Sequence, residues 1–161
     1  MQLVSEHRVD GIVAIGGGSA IGLGKAIALR TDLPQIVVPT TYAGSEMTPV
    51  LGQTEAGRKT TQRSPKVLPE TVIYDVELSL ALPVATSLTS GFNAMAHGAE
   101  ALYAEHPNPL LLAVAEEAVR LMAHALPRIV ITPEDSEARS AALEAAWLGG
   151  WSLASGASGA L

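Results

Sequence analysis

The sequence contains no cysteine, few aromatic residues and fewer positive than negative charges. Without a thiol, the chain can form neither a disulfide nor a thiolate zinc site. Its 10 lysines and arginines stand against 16 aspartates and glutamates, which makes the net charge −6. Because no basic cluster offsets this balance, the composition argues against a nucleic-acid-binding surface.

Long apolar runs are also missing. Runs such as "LLLAVA" fall far short of the roughly 20 residues that a membrane span needs. The N-terminal segment "MQLVSEHRVD" is charged before any apolar run begins, unlike a secretory signal. We therefore expect a cytoplasmic protein with no membrane partner.

The mean hydropathy is positive, at +0.28, although aromatic residues make up only 4% of the chain. Much aliphatic surface therefore needs burial, more than a small domain easily hides. The segment "MQLVSEHRVDG" is typical of a helix that ends before a strand, and "WSLASGASGAL" stops in an apolar, glycine-rich run. We expect missing sequence at both ends and association into a homo-oligomer.

The first half of the chain alternates apolar strands with one helix. Gly11–Ile15 predicts a buried strand, and Ser19 is expected to cap a helix that runs to about Leu29. "QIVVPTT" predicts a second strand and "TVIYD" a third. Strand, helix and strand in this order indicate an open, parallel α/β sheet.

The polar run between the second and third strands, residues 40–70, predicts a loop that can hold a hairpin through "GRKTTQR". After Pro83 the composition becomes alanine-rich with helical periodicity. Pro127 is expected to end the second of three helices. The three helical segments are "ATSLTSGFNAMAHGAEALYAE", "LLLAVAEEAVRLMAHALPRIV" and "PEDSEARSAALEAAWLGGWSLAS". The expected fold is an α/β portion over 1–82 on an incomplete parallel sheet, followed by an all-α portion over 83–161.

The glycine-rich stretch "VAIGGGSAIGLGKAIA" follows the first strand and opens the helix. Such a loop leaves backbone N–H groups free to face an anion. The G-x-G-x-x-G fingerprint fails at Ile21, and the P-loop pattern fails at Ser19 and Ala26. Either the loop binds phosphate, or its glycines serve only the close packing of helix on strand.

Hydroxyl side chains follow the second strand at Thr40, Thr41 and Ser45. Ligands of open α/β sheets lie at the carboxyl ends of the strands, where these hydroxyls can bond phosphate, ribose or a nicotinamide amide. The alternative is that they only cap turns.

On the first helix of the second half, Asn93 and His97 are spaced to face the same way, with Glu100 one turn beyond. A carboxylate and a histidine at this spacing would make half of a metal site, but an amide is a poor ligand for a divalent cation. The alternative interpretation is that His97 is only a hydrogen-bonded residue of the core.

Three stretches occur together in the order and spacing of one enzyme superfamily: "GGGSAIGLGKAIA", "VPTTYAGSEMTP" and "SGFNAMAHGAEALY". The chain resembles the iron-containing alcohol dehydrogenase superfamily over nearly its whole length, and it is most similar to the maleylacetate reductase branch. The resemblance implies a partial dinucleotide-binding α/β domain over 1–82 and a partial helical catalytic domain over 83–161. It also implies NADH- or NADPH-dependent reduction of maleylacetate, a small dicarboxylate, to 3-oxoadipate during the breakdown of aromatic compounds.

The resemblance also implies roles for individual residues. Gly17, Gly18 and Ser19 would hold the cofactor pyrophosphate, and Thr40, Thr41 and Ser45 would bind its phosphate and nicotinamide end. Lys59 would be a further cofactor contact, and His97 with Asn93 would form the catalytic pair.

The metal-dependent members carry aspartate where this chain has Asn93, so we expect no metal cofactor. Two other interpretations stay open: a metal-dependent alcohol dehydrogenase that tolerates the asparagine, and a non-catalytic remnant that binds nucleotide or a partner chain. Since both flanks of the active site are expected to be missing, the isolated chain is expected to bind dinucleotide weakly and not to turn over maleylacetate.

Overall fold

The computed structural model describes residue 4 and residues 6–55, 57–105 and 107–156. The first half forms strands β1 to β5 and helix α1, and the second half forms helices α2 to α5. The elements of the first half are β1 (Ile12–Gly16), α1 (Gly18–Thr31), β2 (Gln35–Pro39), β3 (Val50–Glu55), β4 (Arg58–Arg63) and β5 (Thr71–Val72). Those of the second half are α2 (Glu77–Leu80), α3 (Val84–Leu102), α4 (Pro109–Ile131) and α5 (Ser136–Gly156). The expected fold class is confirmed.

The three-stranded sheet has the order β1-β2-β5 and is parallel throughout. Helix α1 covers one face of it, where Ile21 packs with Ala14 and Val37. On the opposite face Val13 and Ile15 are 65% and 60% exposed. Among the described residues the sheet is covered on one face only, which explains the alternating burial of β1.

The third strand is shorter than "TVIYD" predicts. Only Thr71–Val72 pairs with β2 as a strand, although the Ile73 N–H still donates to the Val37 carbonyl at 2.8 Å. The chain then turns, and Asp75 accepts a hydrogen bond from the Glu77 N–H at 3.0 Å. This Asp75 bond belongs to the turn that leads into α2, so the chain leaves the sheet after Ile73.

The polar run between β2 and β5 contains the hairpin that the sequence allowed. Strands β3 and β4 are antiparallel, from Val50 opposite Arg63 to Glu55 opposite Arg58. A short 3₁₀ turn, Ser45–Met47, lies between β2 and this hairpin.

Helices α3, α4 and α5 pack around a core made largely of alanine, with Met122 and Ile129 fully buried. Small residues let the helices approach closely, and a Cβ atom at Gly91 would lie 2.8 Å from a methyl group of Leu126. Tyr42, from the loop after β2, is part of the same core. None of the helices in the described part of the chain combines the length and the hydropathy that a membrane-spanning helix requires.

Helix α1 begins earlier than predicted. Its N-cap is Gly17, and Ser19 lies inside the first turn rather than at the cap. A Cβ atom at Gly17 would lie 2.9 Å from the Thr41 methyl group, so the close approach of the second loop requires glycine here.

Pro127 does not end α4, which continues to Ile131. A proline removes one backbone donor, and close to the end of a helix that loss affects a single bond. The last turn is held beyond it, because Arg128 forms an ion pair with Asp135 at 2.9 Å and the Thr132 N–H donates to the Arg128 carbonyl at 2.7 Å.

Candidate functional site

The glycine loop joins the end of β1 to the N-terminus of α1. Gly16 has a φ of +144°, and a Cβ atom there would lie 2.9 Å from that of Ala20. Gly18 and Ser19 form the exposed first turn. Since the first N–H groups of a helix have no partner within the helix and carry partial positive charge, this turn can bind an anionic group.

The loop after β2 lies directly against the glycine loop. The Thr40 N–H donates to the Gly16 carbonyl at 3.0 Å. The hydroxyl oxygens of Thr41 and Ser45 are buried and have no hydrogen-bond partner among the described residues. Because buried hydroxyl groups are normally paired, these two are available for a bound molecule.

Lys25 of α1 is hydrogen-bonded to the loop that follows β2. It is 1% exposed, and its Nζ donates to the carbonyl oxygens of Ser45, of Thr48 at 2.7 Å and of Val50 at 3.0 Å. Burial lowers the pKa of Lys25 to about 8, against the opposing charge of Glu46. Lys25 was not among the predicted site residues, although its position on the apolar face of a predicted helix is the signal that could have identified it.

Glu46 is fully buried beside this lysine. One carboxyl oxygen accepts a hydrogen bond from the Tyr74 hydroxyl at 2.9 Å, and Oε2 has no partner among the described residues. Burial raises the pKa of Glu46, although hydrogen bonds and Lys25 oppose that shift. Burial, together with Glu46, also raises the pKa of Tyr74. The cluster therefore links the second loop to the segment after β5.

Asn93 and His97 lie on α3 and face the other side of the same loop. The Asn93 amide Nδ2 donates to the Ala43 carbonyl at 3.1 Å and lies 3.3 Å from His97 Nε2. His97 Nδ1 is buried and has no partner among the described residues. Burial lowers the pKa of His97, while Glu100 opposes the shift, so the imidazole is neutral at neutral pH.

The structure thus brings together most of the predicted site residues. Thr41 contacts Gly17, and two residues further on Ala43 accepts the hydrogen bond from Asn93. Lys59 lies on β4 opposite Thr54, and its side chain is outside what the structure describes. One loop therefore contacts both the glycine turn and the histidine helix.

Two family models match the chain. The model of the iron-containing alcohol dehydrogenases matches residues 1–76, and that of the C-terminal part of the Fe-containing alcohol dehydrogenase family matches residues 87–161. A maleylacetate reductase from Rhizobium sp. (strain MTP-10005) is 63% identical over 141 residues, which are 88% of this chain and 40% of that protein.

Solved structures agree with these matches. The crystal structure of maleylacetate reductase from Rhizobium sp. strain MTP-10005 has a TM-score of 0.92 at 59% identity and covers 95% of this chain and 44% of that one. Sulfoacetaldehyde reductase from Bifidobacterium kashiwanohense, solved in complex with NAD⁺, has a TM-score of 0.88 at 28% identity. The match covers 94% of this chain and 46% of that one. The chain spans less than half of the length of each of these proteins.

These matches overturn the expectation that no metal is needed. Both family models are those of iron-containing enzymes, so an iron cofactor is expected and the earlier prediction, which depended on Asn93, was wrong. The residues that the structure describes nevertheless contain no group of three or more metal-binding side chains. Asn93 is engaged with Ala43, so His97 offers one imidazole, and an iron ion here needs further ligands from outside the described residues.

Proposed function

The chain belongs to the iron-containing alcohol dehydrogenase family, within its maleylacetate reductase branch, and we propose that its protein reduces maleylacetate to 3-oxoadipate with NADH or NADPH. One observation supports this proposal independently of the similarity to the family. The loop after β2 contacts the glycine turn through Thr41 and the histidine helix through Ala43. A cofactor bound by the glycine turn would therefore have its reactive end beside His97.

The cofactor part of the proposal assigns the pyrophosphate to the first turn of α1, at Gly17, Gly18 and Ser19. The unpartnered hydroxyl groups of Thr41 and Ser45, with Thr40 beside them, are donors for phosphate and for the nicotinamide end. Lys59 stays a proposed contact on sequence grounds alone.

The chemical step is a hydride transfer to the carbon–carbon double bond that is conjugated with the 4-oxo group of maleylacetate. The electron pair of that bond moves to the ketone oxygen, which becomes an enolate, and a proton then adds to the neighbouring carbon. Both N–H groups of the Asn93 amide face acceptors of this chain, the Ala43 carbonyl and His97 Nε2, so Asn93 positions the imidazole beside the substrate. Neutral His97, which Asn93 orients, is the group that relays the proton.

The same proposal includes a small dicarboxylate substrate, a role in aromatic-compound breakdown, action in the cytoplasm and a homo-oligomeric state. Nucleic acid and membrane are not partners in this proposal. The acidic net charge of −6 supports the exclusion of nucleic acid.

A hybrid enzyme tests the activity. In it, this chain replaces the matched segment of the Rhizobium maleylacetate reductase, which is 63% identical over 141 residues. We expect the hybrid to oxidise NADH or NADPH when maleylacetate is added, followed by absorbance, with 3-oxoadipate as the product. NAD⁺-dependent oxidation of alcohols without any maleylacetate reduction would favour the alcohol dehydrogenase interpretation instead.

A further inference from the structure

Arg139 of α5 is a fully buried cation, and each of its acceptors among the described residues is neutral. Nε donates to the Pro133 carbonyl at 2.6 Å, and Nη2 donates to the Leu82 carbonyl at 2.9 Å. Nη1 donates to the Tyr42 hydroxyl at 2.9 Å and to Ser87 Oγ at 3.3 Å. Burying a guanidinium is costly unless its donors are satisfied, so a cation in an alanine-rich core needs a reason.

The acceptors of Arg139 come from both halves of the chain. Pro133 precedes α5, Leu82 lies just before α3 and Ser87 lies in the first turn of α3, so these bonds join α5 to the start of α3. Tyr42 is different, because it belongs to the loop after β2 and lies 97 residues away in sequence. The bond to Tyr42 is therefore the one that connects Arg139 to the candidate site.

Tyr42 lies in sequence between Thr41 and Ala43, the two loop residues that contact the other parts of the candidate site. Thr41 before it contacts Gly17, and Ala43 after it accepts the hydrogen bond from Asn93. The ring of Tyr42 is fully buried in the helical core, and the backbone N–H of Tyr42 donates to Ser90 Oγ at 3.3 Å. A residue held at both its ring and its backbone restricts its neighbours on either side.

We infer that Arg139 is a positioning residue for the active site: through the Tyr42 hydroxyl it holds the loop so that Thr41 faces the cofactor turn and Ala43 orients Asn93 and His97. The inference rests on the proposed function, because Thr41 and His97 matter only if cofactor and substrate bind there. Arg139 itself touches neither reacting group.

The alternative is that Arg139 only stabilises the helical core. Two single-atom variants separate these roles, because they remove different acceptors of the same nitrogen. Tyr42→Phe removes the acceptor on the loop, and Ser87→Ala removes the acceptor on α3. Each leaves the guanidinium and its other bonds in place.

Amide hydrogen exchange of the loop in the 161-residue chain is the direct measurement, taken together with NADH affinity from fluorescence titration and with the melting temperature. We expect Tyr42→Phe to speed exchange over residues 41–44 by roughly tenfold, the size expected when a hydrogen bond to a charged group is lost. NADH affinity should fall by a similar factor. Ser87→Ala should lower the melting temperature and leave loop exchange and NADH affinity near those of the unaltered chain.

Unchanged loop exchange in Tyr42→Phe would overturn the inference, as would equal exchange in the two variants. Failure of the unaltered chain to bind NADH would count against the proposed function, whereas the exchange comparison would still decide the role of Arg139. NADH binding that is indifferent to Tyr42→Phe would leave the proposed function standing without the positioning role.

Discussion

Gly17 is the residue at which the two loops of the candidate site touch. A side chain there would strike Thr41, since a Cβ atom lies 2.9 Å from the threonine methyl group. We predict that Gly17→Val weakens NADH binding to the chain by at least about tenfold, because the loops must separate and the first turn of α1 loses its open approach to phosphate.

Fluorescence titration with NADH measures this loss. Gly22→Ala is the control, because it changes a glycine inside α1, close to the same turn, whose added Cβ atom would meet nothing within 4 Å. Equal affinity in the two variants would show that the glycine turn serves packing alone.

Lys25 should make stability depend on pH. Its pKa is lowered from 10.5 to about 8 in the folded chain, so between these values the unfolded chain binds more protons. The free energy of unfolding should therefore rise with pH across this interval, by up to a few kcal/mol for a group shifted this far. Lys25→Met should abolish that rise.

Urea unfolding at pH 8, 9 and 10 measures this pH dependence. Lys66→Met is the control, because Lys66 is a half-exposed lysine that forms an ion pair with Asp32 at 3.1 Å, and this variant should keep the rise. The same pH slope in Lys25→Met and in the unaltered chain would contradict the prediction.

His97 is the residue whose role depends most on the proposal. We predict that His97→Ala in the hybrid enzyme lowers kcat/KM for maleylacetate by roughly 10² or more, the size of losing a positioned proton relay. Cofactor affinity should change little, because the proposed pyrophosphate site is the glycine turn and not α3.

Steady-state kinetics of the hybrid measure both quantities. His124→Ala is the control, since His124 is exposed on α4 and its ring Nδ1 lies 2.7 Å from the Arg120 carbonyl oxygen of the same helix. An unaffected rate in His97→Ala would return His97 to the role of a core histidine.

At the scale of elements, α5 is the helix that joins the two halves. A Cβ atom at Gly149 would lie 2.7 Å from the Ala94 carbonyl oxygen of α3, and one at Gly150 would overlap the Gly44 carbonyl oxygen. Gly44 has a φ of +75°, so its own turn also depends on glycine. Two glycines side by side thus let one helix contact both α3 and the site loop.

We predict that Gly150→Ala destabilises the chain by about 1–3 kcal/mol. The Gly44 carbonyl oxygen belongs to the backbone, so it cannot rotate away from the added methyl group as a side chain could. Thermal unfolding followed by circular dichroism measures the change. Ser140→Ala, an exposed change on the same helix, should stay within about 0.5 kcal/mol. A Gly150→Ala variant as stable as this control would mean that the loop and α5 separate without cost.

At the scale of the whole molecule, apolar surface remains exposed on both halves. Val13, Ile15, Ile36 and Ile73 on the sheet are 65%, 60%, 42% and 49% exposed. On the helices, Phe92 and Ile131 are 60% and 82% exposed. A sheet face of this kind marks an interaction surface or drives self-association.

We predict that the chain self-associates through the sheet face. Val13→Thr combined with Ile15→Thr should shift its size distribution towards the monomer, because threonine keeps the strand propensity and removes apolar area. Light scattering after size exclusion measures the distribution. Leu110→Thr, which changes a leucine 65% exposed on α4, is the control that should have no effect. A monomeric unaltered chain would contradict the prediction.

The sequence by itself determined the fold class, the order of the parallel strands and of the long helices, and the two loops of the candidate site; the short helix Glu77–Leu80 was not predicted. Strand periodicity is local, and parallel strands bring their carboxyl ends to one edge, so Gly17 and Thr41 could be placed together without coordinates. The three motifs in order identified the family. The division at residue 82 stays a prediction, and reasoning from Asn93 alone led to the wrong expectation about metal, because an ion's ligand set is distributed over the whole fold.

Only the tertiary structure decided which polar side chains hold the site together. Lys25 bonds a loop 20 or more residues away, and Arg139 bonds Tyr42 across 97 residues. The hydrophobic periodicity of the sequence does not indicate such partners, because a buried cation is stabilised by the carbonyl and hydroxyl groups that tertiary packing brings close to it. Pro127 does not end α4 for a similar reason: its cost is local, whereas the burial of Ile129 and the ion pair of Arg128 with Asp135, both beyond Pro127 in sequence, exist only in the folded chain.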